Sequence, residues 1–171
     1  MRKLFDKAII GELTKIVGTR RISIDPTIKN RHAKDKSFNS PSLPDVVVWP
    51  IKAQEVSRIL KLANKHHTPV TAWGGGTSLQ GNPIPLFGGI VLNLTRMNKI
   101  CEIIPESMQV VVEPGIICEE LNEQLSPHNL FLPAFPGSAN IATIGGVIAN
   151  NSGGMYAVKY GVVGDWVMEL E

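Results

Sequence analysis

The sequence is short of cysteine, of aromatic residues and of long apolar runs, and each shortage closes off a class of protein. Two cysteines in 171 residues cannot build a disulfide scaffold. Cys101 and Cys118 show no CxxC spacing that would hold a metal. Both lie in apolar-patterned segments and are expected to be buried, reduced thiols, with a disulfide or metal role as the alternative. No apolar run approaches the ~18 residues of a membrane-spanning helix, and the opening MRKLFDKAIIGELTKIVG is charged and amphipathic, unlike a signal peptide. A cytoplasmic protein with no membrane span is the expectation. Aromatic residues make up only 6% of the chain, and none interleaves with the charges of the basic stretch TIKNRHAKDK (27–36). Without stacking platforms that stretch reads as a solvated connector, and nucleic acid is not an expected partner. The four histidines, His32, His66, His67 and His128, have no spacing that suggests a metal or a catalytic base, and surface positions are expected for all of them.

What remains is a globular composition, 43% hydrophobic and 19% charged, in a length that suits one domain of ordinary size. Gly 16 and Pro 12 indicate many turns. Charge is uneven: residues 1–40 hold ten Lys/Arg against four Asp/Glu, and the remainder seven against eleven.

Apolar spacing predicts a helix over 3–17 (Leu4, Ala8, Ile9, Leu13, Ile16) ended by Gly18. A Pro-rich loop follows over 25–45. DVVVWP (45–50) then reads as a strand, KAQEVSRILKLANKHH (52–67) as a helix with Val56, Ile59, Leu60 and Ala63 inward, and PVTAW (69–73) as a second strand. Strand, helix, strand in this length is a βαβ unit with parallel strands. GGIVLNL (88–94), KICEII (99–104) and MQVVVEPG (108–115) are strand-like, and IICEELNEQLSPHN (116–129) is helical. The second part of the fold is expected to run from about Gly89 to the end, with Val163 to Met168 as an exposed strand.

Two glycine-rich stretches carry the chemistry. Gly74-Gly75-Gly76-Thr77-Ser78 follows a predicted strand directly. It lacks the Lys of a P-loop before Thr77, and Leu79 stands where a GxGxxG fingerprint needs its third glycine. Both familiar nucleotide motifs fail, yet consecutive glycines can still turn several backbone N–H groups into one anion-binding concavity. Thr77 and Ser78 add hydroxyls, and Gly81 with Asn82 adds a turn. A plain strand-to-loop corner is the competing reading. The second stretch, PGSANIATIGGVIANNSGG (136–154), reads as a short helix start at Ala142-Thr143-Ile144-Gly145-Gly146 that would present free N–H groups. Ser138, Thr143, Asn150, Asn151 and Ser152 are neutral donors around it, and a small-residue packing seam is the alternative. Two such stretches suit a long polar ligand such as a dinucleotide.

Together, PVTAWGGGTSLQGN and PGSANIATIGGVIANNSGGMYAVKYG resemble the two signature loops of the FAD-binding domain in the vanillyl-alcohol oxidase and p-cresol methylhydroxylase superfamily. Within it the chain is most similar to the FAD-linked 2-hydroxy-acid dehydrogenases of the D-lactate dehydrogenase (cytochrome) and glycolate oxidase type. The likeness runs from about Pro44 to Val163, and HAKD (32–35) resembles a YxxD element that often precedes it. It implies an α+β fold, a two-part FAD-binding domain with a small parallel βαβ subdomain plus a mixed or antiparallel sheet with flanking helices. Residues 1–43 would be an N-terminal helix and wrapping connector, and 44–171 the FAD-binding domain.

The resemblance implies that Gly74, Gly75, Gly76, Thr77, Ser78, Gly81 and Asn82 wrap the FAD pyrophosphate. Pro136, Gly137, Ser138, Ala142, Thr143, Gly145, Gly146, Asn151, Ser152, Gly153 and Gly154 would lie along the ribityl chain and flavin. Relatives that anchor flavin covalently through the first loop carry His where this chain has Thr77, so non-covalent FAD is expected. Many glycolate-oxidase-like members have Arg at the place of Trp73, and D-lactate-like members often have Glu at that of Gln80. Members also run well past this length, into a further FAD loop and a substrate and cap domain. The implied enzyme removes a hydride from a small 2-hydroxy acid to flavin N5 and passes electrons to a cytochrome, a quinone or an electron-transfer flavoprotein. It would be cytoplasmic or peripheral to the inner membrane, and this portion alone inactive. The same cradle would serve a sugar or alcohol oxidase, an enzyme of ether-lipid synthesis or an enolpyruvyl reductase, and a non-catalytic module binding a nucleotide or a protein partner stands beside them.

Overall fold

The computed structural model describes residues 7–171, so Leu4 of the first predicted helix lies outside the described residues. The chain divides into two compact units, Met1–Arg96 and Met97–Glu171.

In the first unit, α1 (Lys7–Val17) ends at Gly18, whose φ of 77° suits a residue without a side chain. A 3-10 turn (Thr19–Arg21) leads into β1 (Ile22–Ser23), then α2 (Pro26–Arg31), β2 (Val46–Val48), α3 (Ala53–Lys65), β3 (Val70–Trp73) and β4 (Ile90–Asn93). The sheet order is β1-β2-β4-β3, with β2 and β3 both parallel to β4 and β1 antiparallel to β2. The predicted βαβ unit is present, but β4 lies between its two strands. β4 therefore belongs with the first unit, and the second begins at Met97 rather than near Gly89.

β2 and β4 are buried on both faces, which is why they read as continuous runs rather than alternating patterns. Val46, Val48, Ile90 and Leu92 pack with Ile9, Leu13 and Val17 of α1 and Ile59, Leu62 and Ala63 of α3. Val47 and Val91 face the other way, against Trp73, Ile28 and Trp49. Leu62 occupies the core place expected for Leu60, which is 45% exposed. The one-residue step from Ile59 turns Leu60 about 100° around the helix, off the packed face. Glu55, in the first turn of α3, is buried, takes a bidentate bond from Arg21 and accepts from the Ile51 N–H at 3.0 Å. It thereby ties the helix start to the approach to β1.

The connector is not a plain loop. Asp25 caps α2 by accepting from the N–H groups of Thr27 (2.8 Å) and Ile28 (3.2 Å), with Pro26 at the first helical position. Asp followed by Pro is a helix-start signal that the abundance of prolines masked.

In the second unit, β5 (Ile100–Ile104) and β6 (Gln109–Val112) form an antiparallel hairpin, followed by α4 (Cys118–Leu125), α5 (Ile144–Ala149) and α6 (Ala157–Tyr160). Ile116, Cys118, Leu121 and Leu125 pack with Ala134, Ala142, Ile144, Val147 and Val163. Asn122 brackets Leu132, accepting its N–H at 2.7 Å and donating to its carbonyl at 3.1 Å. This pins the extended chain that leads to the second glycine-rich stretch. The fold is thus α+β, with one mixed sheet and one antiparallel hairpin.

Two expectations fail here. Cys118 is buried, but Cys101 is exposed, at the register shift between Ile100 and Glu102 on a hairpin with a solvent face. Val163 to Met168 is not a strand: Val163–Trp166 is a 3-10 turn whose first residue is 2% exposed and belongs to the core. Among the described residues, no helix is long and apolar enough to cross a membrane.

Candidate functional site

The first glycine-rich loop leaves the C-terminal end of β3, the end at which parallel sheets place their ligands. Gly76 has φ 66° and Gly81 has φ 87°, both in the left-handed region. Among the described residues, no hydrogen bond engages the backbone N–H of Gly74, Gly75 or Gly76. Three adjacent amides without an internal acceptor are what an anion nest requires.

The connector folds against this loop. Asp35 is 3% exposed and accepts from the N–H groups of Gly81 (2.8 Å) and Ser37 (2.9 Å), while Lys36 N–H donates to the Ser78 carbonyl at 3.0 Å. Burial pushes the Asp35 carboxyl pKa up, but donation from Ser37, Gly81 and Ser78 outweighs it and holds the group below the usual carboxylate range. A cleft of about 480 Å³ opens between the two segments, lined by Arg31, Lys34, Lys36 and Ser37 on one side and Trp73, Gly75 and Gly76 on the other. The basic stretch read as a solvated connector therefore lines the glycine cleft, and it brings cations to a loop that has none of its own between Trp73 and Asn82. The usable signal was HAKD, whose Asp reaches the loop.

His32 corrects its expectation too. It is 7% exposed, between the Trp49 ring (centroids 5.8 Å apart) and the Trp73 ring (4.8 Å). Nδ1 lies 2.8 Å from the Ile28 carbonyl and Nε2 lies 2.8 Å from Asn93 Nδ2. Asn93 Oδ1 accepts from Thr95 N–H (3.0 Å) and Oγ1 (2.6 Å), which fixes the amide with its NH₂ toward the histidine. The network assigns the neutral Nδ1–H tautomer, with Nε2 as acceptor. Burial, with Arg31 adding to it against the Ile28 hydrogen bond, lowers the imidazole pKa.

The second stretch is used differently. Thr143 caps α5, accepting from Gly146 N–H at 3.3 Å. Ile144 N–H donates to Ile116 O (2.9 Å) and Gly145 N–H to Pro114 O (2.8 Å). The expected free amides at this helix start are therefore consumed internally. Gly145 and Gly154 are small for packing: a Cβ would stand 2.7 Å from Pro114 Cβ and 1.9 Å from Phe135 O respectively. Ala142 and Thr143 are buried, Asn151 Oδ1 accepts from Gly164 N–H at 3.0 Å, and Ser152 joins Val147 to Val163 through its backbone. Gly137 has open space around it, and Pro136, Ser138 and Gly153 are half-buried.

Among the described residues no cluster of His, Cys, Asp or Glu could hold a metal. The unpaired amides and the cations around them fit the phosphates of a nucleotide cofactor, with donor chemistry for an anion rather than for a metal.

Comparisons with known proteins agree in kind. The model of the FAD binding domain family matches residues 44–171. The chain is 35% identical over 168 residues to the glycolate oxidase subunit GlcD of Bacillus subtilis, covering 98% of this chain and 36% of that one. It is 37% identical over 171 residues to the mitochondrial D-lactate dehydrogenase [cytochrome] of Arabidopsis thaliana, covering 99% and 30% respectively. An alkyldihydroxyacetonephosphate synthase structure superposes with a TM-score of 0.87 at 26% identity, covering 94% of this chain and 32% of that one. p-Cresol methylhydroxylase shares the fold at a TM-score of 0.75 and 21% identity, over 89% of this chain and 31% of that one. The chain spans about a third of the length of the curated relatives it matches.

Proposed function

The chain belongs to the FAD binding domain family, whose cofactor is FAD, and from that premise we propose that it is the cofactor cradle of a flavin-dependent 2-hydroxy-acid dehydrogenase or oxidase. The observation that carries the proposal is the cleft where Gly75 and Gly76, whose amides have no internal acceptor, meet Arg31, Lys34 and Lys36. Thr77, Ser78, Gly81 and Asn82 complete the pyrophosphate contacts. Pro136, Gly137, Ser138, Ala142, Thr143, Gly145, Gly146 and the run Asn151 to Gly154 are the proposed flavin-side contacts. Residues 1–43 act as a helix and wrapping connector serving the 44–171 cradle.

The loop amides bind the phosphate oxygens, the cations neutralise their charge, and Asp35 holds the loop through Gly81 and Ser78. Thr77 offers no imidazole for a covalent flavin link, so the cofactor is held non-covalently. When bound, the flavin supplies hydride acceptance at N5 from the C–H of the hydroxy acid, which is cofactor chemistry rather than protein chemistry. The identities of 35% and 37% to a glycolate oxidase subunit and a D-lactate dehydrogenase favour a small 2-hydroxy acid over a sugar, another alcohol or an enolpyruvyl substrate. The electron acceptor would be a cytochrome, a quinone or an electron-transfer flavoprotein, and the enzyme cytoplasmic or peripheral to the inner membrane.

Anaerobic mixing of the full-length flavoprotein with D-lactate, glycolate and sugar alcohols tests this reading. Bleaching of the flavin absorbance by a 2-hydroxy acid supports it; bleaching by sugar alcohols alone overturns the substrate class.

A further inference from the structure

HAKD places at position 32 an imidazole, a ring that titrates near neutral pH. That ring is buried at the C-terminal ends of β3 and β4, where Trp73 and Asn93 are register partners. It packs on the Trp73 indole, and the same indole lies against Gly76, whose added Cβ would stand 2.6 Å from Cζ2. Contact therefore runs without a gap from Asn93 through His32 and Trp73 to the glycine loop.

We propose that His32 is a positioning residue for the first glycine-rich loop: as the neutral Nδ1–H tautomer it seats Trp73 beneath Gly76, and taking up a proton releases the loop. The reason is the completed hydrogen-bond network. A proton on Nε2 would face the NH₂ of Asn93, two donors at 2.8 Å. Turning the Asn93 amide to present its oxygen would break both bonds from Thr95. The imidazolium must lose one partner or leave its place, and either shifts the ring that supports Trp73.

Arg31 of α2, next to His32, opposes the proton as well. Arg96 lies over the Trp49 ring, 5.5 Å from its centroid. β3 and β4 present Trp73 and Asn93, which carry no charge. Asp35, three residues along, is engaged by Ser37 and Gly81. With its folded-state pKa lowered, His32 costs stability as pH falls below its ordinary value near 6.5. There the unfolded chain takes the proton and the folded chain does not.

The test reads the tryptophan and the cofactor separately, because the effect on binding rests on the FAD reading above. Without FAD, tryptophan fluorescence of the chain is followed from about pH 8 to about pH 5, across the histidine range. Imidazolium quenches an indole it touches, so a sigmoidal loss is expected that shrinks in Trp73→Phe, where Trp49 still faces the ring, and disappears in His32→Tyr. Asn93→Asp, which replaces the opposed donor by an acceptor, should move the midpoint to higher pH and so identifies His32 as the titrating group. The pH dependence of FAD affinity is the readout that a merely structural histidine would not move. With FAD, affinity should weaken by about three- to tenfold between the two ends in the native chain, and stay flat in His32→Tyr. An unchanged midpoint in Asn93→Asp, or a native FAD affinity independent of pH, overturns the proposal. Failure to bind FAD even at about pH 8 overturns the cofactor reading instead, and the fluorescence midpoints still decide on His32.

Discussion

The Trp73 indole and Gly76 leave no space between them: a Cβ on Gly76 would lie 2.6 Å from Cζ2, and the glycine has φ 66°. A side chain there meets both a steric and a conformational barrier, and strain of this kind costs about 1–3 kcal/mol. Gly76→Ala should therefore weaken FAD binding by about tenfold or more, since 1.4 kcal/mol is a factor of ten. Isothermal titration with a melting curve on the same sample separates lost binding from lost fold.

The cations of the cleft should show themselves through salt. Replacing Arg31, Lys34 and Lys36 together by Gln should weaken FAD binding by about tenfold at low ionic strength and flatten its salt dependence. Riboflavin carries no phosphate, and its binding should not change. Fluorescence quenching at two salt concentrations reads both effects.

How much of this was legible beforehand depends on which physical signal each residue carries. Periodicity exposed α3 and the strands from Val46 to Val112, because burial on one or both faces leaves a pattern in sequence. The glycine run marked the loop, because few other residues tolerate its backbone. The partners of that loop were hidden. Asp35, Arg31 and Lys34 lie some 40 residues earlier, and local composition marks them as solvated whatever they fold against. His32 looked like a surface residue for the same reason: its burial comes from Trp49, Trp73 and Asn93, none of them near it in sequence. In the second stretch the small residues were read as openings for a ligand, whereas Gly145 and Gly154 sit against Pro114 and Phe135. Close backbone packing and ligand approach select the same residues, and only the structure separates them.

The Arg21–Glu55 pair should be a main support of the first unit. Glu55 is 4% exposed and receives Arg21 Nη2 at 2.8 Å and Ile51 N–H at 3.0 Å. Arg21 keeps 20% of its side chain exposed, so loss of its charged hydrogen bonds costs about 1.5–3 kcal/mol, and Glu55→Ala should lower the urea midpoint. The Arg21 hydrogen bond leads in holding the Glu55 pKa down, against burial. Its contribution is therefore present above the ordinary glutamate range and lost as pH falls through the lower folded value. The destabilisation in the variant should shrink accordingly in acid.

The two thiols should behave differently. Cys101 is exposed, whereas Cys118 is buried and its burial pushes the pKa up to about 11. Ellman's reagent should label one thiol per native chain and both after denaturation. Rapid labelling of both in the native state would contradict the packing around α4.

The most direct test of the central claim is a titration of the chain with FAD and with riboflavin at near-neutral pH, with ADP as competitor. Saturable binding of FAD, weak or absent binding of riboflavin and competition by ADP are the predicted results, because the first loop and its cations recognise phosphate. Equal binding of FAD and riboflavin, with no effect of ADP, would contradict the account.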